Sequence, residues 1–313
     1  MITVEECTVK IIHVPDIEWQ TPVITEKLAY ECLLNAPLKA TEDITYLAVP
    51  WATLIDNLLW GTDNGKKTAT SVLKKISQLD HDRYFTVCQH YKYREIQSLF
   101  RSIGGEVIFT PHAVTIDDDS IRGFPLYSPV IGDPDSDKSI WYSFIGAHKD
   151  QYISDIREHI FNDNHPDDCI IVRRGDWQFN IDVYTEQIWG NESTRLEKYI
   201  ANEKKKYYKR ILERSRFSLC PSGAGPASIR FFESLGSGSI PVLMADTFIL
   251  PKVNAIDWDE CIIRVPEYKY NQLRDILGRI SPEREIVMRQ NCIEAYKHLS
   301  GENFVQCIRD FYE

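Results

Sequence analysis

A short segment in the C-terminal half combines residue types that could bind phosphate. The run FSLCPSGAGP (217–226) begins apolar and ends in Ser222, Gly223 and Gly225, just before a helical pattern begins. A glycine turn between a strand and a helix exposes backbone N–H groups at the helix N-terminus, where phosphates bind. The segment therefore predicts a phosphate-binding turn that contains these three residues.

Two charged residues follow this turn on the predicted helix. Arg230 and Glu233 lie three residues apart, a spacing that is common for an ion pair on a helix surface. This helix begins at the carboxyl edge of a predicted parallel sheet, where ligands of such folds bind. We therefore expect Arg230 to contact a diphosphate and Glu233 to accept hydrogen bonds from ribose hydroxyls. Ser228, at the start of the helix, is expected to complete the pocket. Asp246, after the next strand, is expected either to shape the pocket or to cap the turn before Leu250-Pro251.

The same residues allow a second interpretation. Gly223-Ala-Gly225-Pro-Ala-Ser228 partly matches the GxGxxG pattern of dinucleotide-binding folds. Asp246 lies about 20 residues further along the chain, where that pattern expects an acidic residue. An NAD(P)-dependent oxidoreductase is therefore an alternative.

The elements that must position these residues alternate between strand and helix. This alternation indicates an α/β fold with parallel sheets covered by helices on both faces. Segment 130–140, VIGDPDSDKSI, is rich in Gly, Pro, Asp and Ser and separates two such sets. We predict two Rossmann-like domains facing each other across a cleft, 1–135 and 136–290, with a helical tail, 291–313, that packs back on the first. The predicted strands include 10–14, 83–90, 105–111, 141–148, 169–175 and 240–246, and the predicted helices include 25–36, 69–79, 93–103, 153–161 and 195–215.

Composition excludes several classes of protein. The 313 residues are 43% hydrophobic and 26% charged, as in soluble globular proteins, and the net charge of −10 argues against non-specific binding of nucleic acid or anionic membranes. The eight cysteines are scattered without a CxxC pair, which disfavours a zinc site and suggests a reducing compartment. No segment reads as a signal peptide or as a membrane span. A cytoplasmic protein without stable membrane insertion is the expectation.

Several motifs resemble those of one enzyme family. The segment RSRFSLCPSGAGPASIRFFESLGSGSIPVLMADTFILP (214–251) resembles the signature block of the exostosin glycosyltransferases, and the likeness continues through 256–291. In the N-terminal half, TEDITYLAVPWATLID (41–56) is similar to the family's strand that runs into Val-Pro and then an aspartate. YFTVCQH (84–90) is similar to its strand that ends at histidine.

The resemblance implies a GT-B fold and an inverting transfer of sugar from a nucleotide sugar, usually a UDP-sugar, to a glycan hydroxyl. The donor-binding domain would then include Gly146 and Lys149 after its first strand and Arg157 on its first helix. Arg157 could equally be a surface residue of that helix. A non-catalytic carbohydrate-binding or scaffold protein on a transferase fold is a further alternative.

The general base of such a reaction is expected from the N-terminal domain. Asp56 matches the family's aspartate after Val-Pro, and a helix N-cap is its structural alternative. His90 ends another predicted strand and is the second candidate, with a structural histidine as its alternative. The chain departs from the family where Tyr91 replaces an aspartate found in many members. It also lacks the N-terminal membrane anchor of eukaryotic exostosins, which favours a bacterial or viral origin.

Two Asp-x-Asp strings could suggest a metal site. Asp133-Pro-Asp135 lies in the predicted linker, and Asp257-Trp-Asp259 lies beyond the donor strand, so we interpret both as solvated turns. The charge of the leaving diphosphate would then be neutralised by the helix N-terminus, Arg230, and Lys149 or Arg157. The sequence thus predicts a metal-independent enzyme with no cofactor besides the UDP-sugar co-substrate.

Overall fold

The computed structural model describes residues 7–313 and contains two parallel β-sheets of five strands each. The N-terminal sheet has the order β2-β4-β5-β6-β7, and the C-terminal sheet has the order β12-β11-β10-β8-β9. A two-stranded antiparallel ribbon, β1 with β3, accompanies the first sheet. The strands are β1 Cys7–Thr8, β2 Lys10–His13, β3 Lys39–Ala40, β4 Thr45–Ala48, β5 Tyr84–Val87, β6 Gly105–Thr110, β7 Ile121–Gly123, β8 Ile140–Gly146, β9 Ile170–Arg173, β10 Ser215–Pro221, β11 Ile240–Met244 and β12 Ile263–Arg264.

Helices cover both faces of each sheet, as the parallel topology requires. The α-helices are α1 Thr25–Asn35, α2 Trp51–Trp60, α3 Asp63–Ile76, α4 Arg94–Ser102, α5 Ile156–Asn162, α6 Arg195–Arg214, α7 Ile229–Gly236, α8 Leu273–Gly278, α9 Pro282–Lys297 and α10 Gln306–Tyr312. A π-helix spans Ile181–Ile188, and short 3₁₀ segments span Trp258–Glu260, Glu267–Gln272 and Gly301–Val305. Two Rossmann-like halves thus face each other, which confirms the predicted α/β, GT-B type of architecture.

The central strands are apolar along their whole length because both of their faces are buried. Every side chain of β11, Ile-Pro-Val-Leu-Met, is buried, and so is every side chain of β4 and β5. Such continuous apolar runs are typical of parallel sheets between two helix layers. The carboxyl ends of the central strands in each half therefore open toward the cleft between the halves.

The chain passes between the two halves at two places. Segment 124–139, between β7 and β8, contains neither helix nor strand. The chain returns to the N-terminal half at its end. The ring of Tyr312 lies 5.0 Å from that of Phe85, and the ring of Phe311 meets that of Phe109 edge-on at 5.7 Å. Arg309 also donates a hydrogen bond to the carbonyl of Ala36 at 2.5 Å. The C-terminal helix thus packs against the first sheet.

One boundary differs from the sequence expectation. Helix α2 begins at Trp51, directly after Pro50, so Asp56 lies in the middle of that helix and does not cap it. Proline is tolerated at a helix start, where an N–H would have no intrahelical acceptor. The N-cap interpretation of Asp56 is therefore wrong. Among residues 7–313, no helix is both long enough and apolar enough to cross a bilayer.

Glu26, in the first turn of α1, connects three elements of the N-terminal half. Its carboxylate accepts hydrogen bonds from the amide of Ala52 at 3.1 and 3.2 Å and from the amide of Gln89 at 2.9 Å. It therefore holds the start of α2 against the loop after β5. Glu26 is only 2% exposed, and this burial raises the pKa of its carboxyl from 4.5 to about 8, with the charge of Asp56 adding to the effect.

We predict that Glu26→Gln removes a pH-dependent part of the stability. Between about pH 4.5 and 8 the folded protein holds a proton that the unfolded chain releases, so the free energy of unfolding falls as pH rises, by up to about 1.4 kcal/mol per unit. The glutamine keeps an oxygen acceptor but cannot titrate. Denaturant unfolding at several pH values should show the variant gaining stability relative to wild type as pH increases. If the difference in free energy of unfolding between variant and wild type stayed constant with pH, Glu26 would not be the titrating group. Glu31→Gln, on the exposed side of α1, is the matched control.

Candidate active site

A cavity of about 330 Å³ lies between the two halves, and residues of both halves line it. Ten of the twelve predicted site residues face this cavity: Asp56, His90, Gly146, Lys149, Arg157, Gly223, Gly225, Ser228, Arg230 and Glu233. The structure thus brings together residues that are far apart in the sequence. Of this set, Lys149 forms an ion pair with Asp176 at 3.0 Å at the cavity edge.

The other two predicted residues lie behind the glycine turn. Ser222 is buried, and its hydroxyl donates to Glu267 Oε1 at 2.7 Å. Asp246 is exposed, and its Oδ1 accepts the amide N–H of the same Glu267 at 3.1 Å. Both residues therefore fix the loop at Glu267. Because Asp246 does not line the cavity, the acidic residue of the dinucleotide-binding pattern is not at the site.

Arg157, at the start of α5, is tied to the ends of two strands. Its Nε donates to Ser222 O at 2.6 Å, its Nη1 to Ala147 O at 2.9 Å and its Nη2 to Pro221 O at 3.3 Å. These carbonyls end or follow β8 and β10, so the guanidinium bridges the carboxyl ends of the strands. Burial, together with the nearby charge of Arg230, lowers the pKa of Arg157 to about 10.

Arg230, on α7, is held in a similar way. Its guanidinium donates to the carbonyls of Ile145 and Leu219, in the same two strands. It also lies over the ring of Phe144 at 4.5 Å. The side chain is 8% exposed, and it does not form the surface ion pair that its spacing from Glu233 would allow.

A third arginine, Arg174, reaches the same cavity from the end of β9. Burial and the charge of Arg230 lower its pKa. In the described part of the chain, no carboxylate lies within 4.0 Å of the guanidinium nitrogens of Arg157, Arg174 or Arg230. Like charges that are partly removed from water and left without counter-charges are costly. These three residues, called the arginine cluster below, therefore form a site that an anion would stabilise.

The glycine turn brings the backbone close to this cluster. A Cβ at Gly223 would lie 2.6 Å from Arg157 Nη2, and a Cβ at Gly225 would lie 2.5 Å from His112 Nδ1, so neither position has room for a side chain. Ser228 precedes α7, and its hydroxyl does not cap that helix. Ser228, Ile229 and Arg230 line the cavity, so the N-terminus of α7, the positive end of its dipole, borders it.

Glu233 provides an acceptor deeper in the pocket. The residue is fully buried, and its Oε2 accepts the hydroxyl proton of Tyr208 at 2.6 Å. Its Oε1 makes no hydrogen bond of normal geometry with the described residues, although the Gln178 side chain and the Val130 amide are close enough to act on the carboxyl group. Burial raises the pKa of Glu233 to about 7, against the opposing effects of the Tyr208 hydrogen bond and the Arg230 charge. A buried oxygen without a partner, beside an anion site, suits a ligand that carries hydroxyl groups.

Asp56 lies on the opposite wall and receives hydrogen bonds at both oxygens. Gln20 Nε2 donates to Oδ2 at 2.7 Å, His90 Nε2 lies 3.2 Å from Oδ1, and the Tyr184 hydroxyl donates to Oδ1 at 3.4 Å. Asp56 is only 1% exposed, so these donors replace water around its carboxylate. The tyrosine comes from the C-terminal half, and the other two donors come from the N-terminal half.

Backbone N–H groups, which can only donate, fix the direction of these bonds. The Lys92 amide donates to His90 Nδ1 at 3.0 Å, so a neutral His90 carries its proton on Nε2 and donates it to Asp56. The Glu26 amide donates to Gln89 Oε1 at 3.2 Å, so the Gln89 amide group donates to Gln20 Oε1 at 2.9 Å. Gln20 must therefore turn its own NH₂ group toward Asp56. In both series of hydrogen bonds, the one through His90 and the one through Gln89 and Gln20, Asp56 is therefore the acceptor.

The site residues absent from the sequence prediction include Gln20, Arg174 and Tyr184. Arg174 lies inside the predicted strand 169–175, beside Arg173, and directly follows the observed strand β9. Gln20 lies in an irregular segment, and Tyr184 lies in the π-helix, whose hydrogen bonding does not follow the usual helical period. No sequence pattern therefore indicated that Gln20 or Tyr184 belongs to the site.

The two Asp-x-Asp strings form local turns on the surface. Asp133 Oδ1 accepts the amide of Asp135 at 3.0 Å, and Asp257 Oδ1 accepts the amide of Asp259 at 3.1 Å. All four residues are exposed, and none lines the cavity. Their side chains therefore stabilise turns. Within residues 7–313, no group of three or more His, Cys, Asp or Glu side chains could hold a metal ion.

Fold and site together define a two-domain α/β protein with an anion-binding pocket on one side of its cleft and a carboxylate on the other. Residues 107–280 match the Exostosin GT47 domain. The chain belongs to this exostosin family.

Individual relatives match over shorter stretches. Exostosin-1 of Drosophila melanogaster is 39% identical over 83 residues, 26% of this chain and 11% of that protein. A probable glucuronosyltransferase of Oryza sativa subsp. japonica is 31% identical over 160 residues, 51% of this chain and 32% of that protein. The chain thus covers about a third or less of these relatives. Among solved structures, TarM is 10% identical with a TM-score of 0.45, over 84% of this chain and 53% of TarM, a likeness that supports no further inference.

We predict that inorganic pyrophosphate raises the melting temperature by binding at the arginine cluster. Losing one charge-assisted hydrogen bond costs roughly 1.5–3 kcal/mol, so Arg174→Met and Arg230→Met should each weaken this binding about 10- to 150-fold. Titration calorimetry measures the affinities. Arg174→Met is the decisive variant because Arg174 does not bridge strands β8 and β10, and Arg279→Met, on the exposed end of α8, is the control.

The same titration with UDP separates the phosphate contacts from the contacts of the sugar ring. Glu233→Ala should weaken UDP and leave pyrophosphate unaffected, because only UDP carries hydroxyls for Oε1. Equal pyrophosphate affinity in wild type and both arginine variants would place the anion elsewhere.

Proposed function

We propose that this chain is a glycosyltransferase that moves a sugar from a nucleoside-diphosphate sugar, most simply a UDP-sugar, to a hydroxyl of a glycan with inversion of configuration. One observation carries the proposal. The arginine cluster, which lacks carboxylate partners, faces across a single cavity a carboxylate that is held ready to accept a proton. Membership of the exostosin family supports the same reaction class.

The C-terminal wall suits the donor. A nucleoside diphosphate carries two negative phosphates, which match the arginine cluster and the N-terminus of α7. Its ribose hydroxyls match the unpaired oxygen of Glu233. Because negative charge grows on the diphosphate as the glycosidic bond breaks, these cations stabilise the transition state more than the ground state.

The N-terminal wall suits the base, and its geometry favours Asp56 over His90. Both ring nitrogens of His90 are engaged, one by the Lys92 amide and the other by Asp56. Asp56 accepts three hydrogen bonds, and a carboxylate has about four acceptor positions, so one remains for the acceptor hydroxyl. His90 then orients Asp56 in this proposal.

We predict that Asp56→Asn abolishes turnover without affecting donor binding. Asparagine keeps the shape of the side chain but cannot take a proton, and loss of a general base typically costs about 100- to 10,000-fold in rate. UDP affinity should be that of wild type because the donor lies on the other wall. Initial rates and calorimetry measure the two quantities, with Asp63→Asn at the exposed start of α3 as the control. Near-normal turnover of Asp56→Asn together with inactive His90→Ala would assign the base to His90.

We also predict that transfer proceeds without a divalent metal. The Asp-x-Asp strings form surface turns outside the cavity, and the arginine cluster can neutralise the leaving group. The UDP release rate should therefore be the same in excess EDTA and in excess manganese. Complete loss of turnover in EDTA, with recovery on adding manganese, would contradict this part of the proposal.

A further inference from the structure

The π-helix Ile181–Ile188 belongs to the C-terminal half but binds the N-terminal half. π-Helices are rare and frequently lie at functional sites. The side-chain amide of Gln187, on this helix, makes two hydrogen bonds across the cleft. Its Nε2 donates to Trp19 O at 2.7 Å, and its Oε1 accepts the Thr21 amide proton at 3.1 Å. Gln187 therefore holds the chain on both sides of Gln20.

Gln20, the residue between these two contacts, makes the shortest hydrogen bond to Asp56, at 2.7 Å. Gln89 fixes which way the Gln20 amide group faces, but it does not fix where the backbone of Gln20 lies. Segment 14–24 contains neither helix nor strand, so its position depends on side-chain contacts such as those of Gln187.

We propose that Gln187 is a positioning residue for the base. It holds residues 19–21 so that Gln20 reaches Asp56 Oδ2, and this role rests on the function proposed above for Asp56. Tyr184, on the same π-helix, approaches Oδ1 at 3.4 Å. Asp56 thus has its full set of donors only while the donor half is apposed to the acceptor half. Contact between the two halves therefore supplies hydrogen bonds that hold Asp56, the proposed base, in position.

Gln187→Met tests the proposal because it keeps the length of the side chain and removes both hydrogen bonds. We expect kcat to fall about 10-fold, the effect of about one hydrogen bond, with UDP affinity unchanged. Gln20→Met should have a similar effect, and the double variant should be no worse than either single variant because both remove the same contact. Trp189→Phe is the matched control, since it removes a neighbouring bond across the cleft, to Trp60 O at 3.1 Å, without touching Gln20 or Asp56. Wild-type kcat in Gln187→Met, or additive losses in the double variant, would overturn the proposal.

A second measurement needs no turnover and so separates this proposal from the proposed function. In ¹⁵N-labelled protein, the side-chain NH₂ protons of Gln20, assigned with Gln20→Met, should exchange slowly with water because they are bonded to Asp56. Gln187→Met should speed this exchange at least about 10-fold, and Trp189→Phe should not. Unchanged exchange in Gln187→Met would overturn the proposal even in an active enzyme. Absence of transfer from every UDP-sugar would refute the proposed function, and the exchange rates would still decide whether Gln187 holds Gln20.

Discussion

The structure depends on placing positive charge at the carboxyl ends of β8 and β10, where no carboxylate among residues 7–313 lies within 4.0 Å of the guanidinium nitrogens. Partly buried guanidinium groups are tolerated there because strand-end carbonyls accept their protons: three for Arg157 and two for Arg230. A parallel sheet supplies such carbonyls at its edge, where the ladder of backbone hydrogen bonds ends. The guanidinium groups in turn hold β8 and β10 together. The fold and the charge of the site therefore stabilise each other, and the remaining N–H groups stay available to an anion.

The opposite wall obeys a different constraint, which is the direction of hydrogen bonds. Imidazole rings and side-chain amides can be turned either way, but a backbone N–H can only donate. The amides of Lys92 and Glu26 therefore decide the orientation of every polar side chain between them and Asp56. The carboxylate receives donors whose directions cannot reverse. These donors hold the carboxylate of Asp56, the proposed base, in one orientation, so it does not have to rotate before it meets an acceptor hydroxyl.

The sequence was sufficient for the parts of the site that follow periodic elements. The strand before the glycine turn, the helix with Arg230 and Glu233, and the position of His90 after a strand all follow from patterns that local sequence determines. The site residues that the sequence did not predict are those whose role depends on the direction of the side chain. Arg173 and Arg174 are consecutive, yet Arg173 pairs with Glu158 at the surface while Arg174 faces the cavity. No pattern in the sequence distinguishes the two. The N-cap alternative for Asp56 failed because α2 starts at Trp51, inside a segment that reads as a strand.

The arginine cluster and the oriented carboxylate of Asp56 need to lie on separate halves of the protein. Three arginines close to Asp56 would form ion pairs with it, and neither the anion site nor the base would then be available. A cleft keeps the charges apart, but the reacting groups must meet across it. The π-helix reconciles these demands because Tyr184 and Gln187 are uncharged, so the C-terminal half contacts the surroundings of Asp56 without supplying a cation. Hydrogen bonds between uncharged side chains and the N-terminal half thus connect the two walls of the site. The positive charge of the arginine cluster is left to attract an anionic substrate.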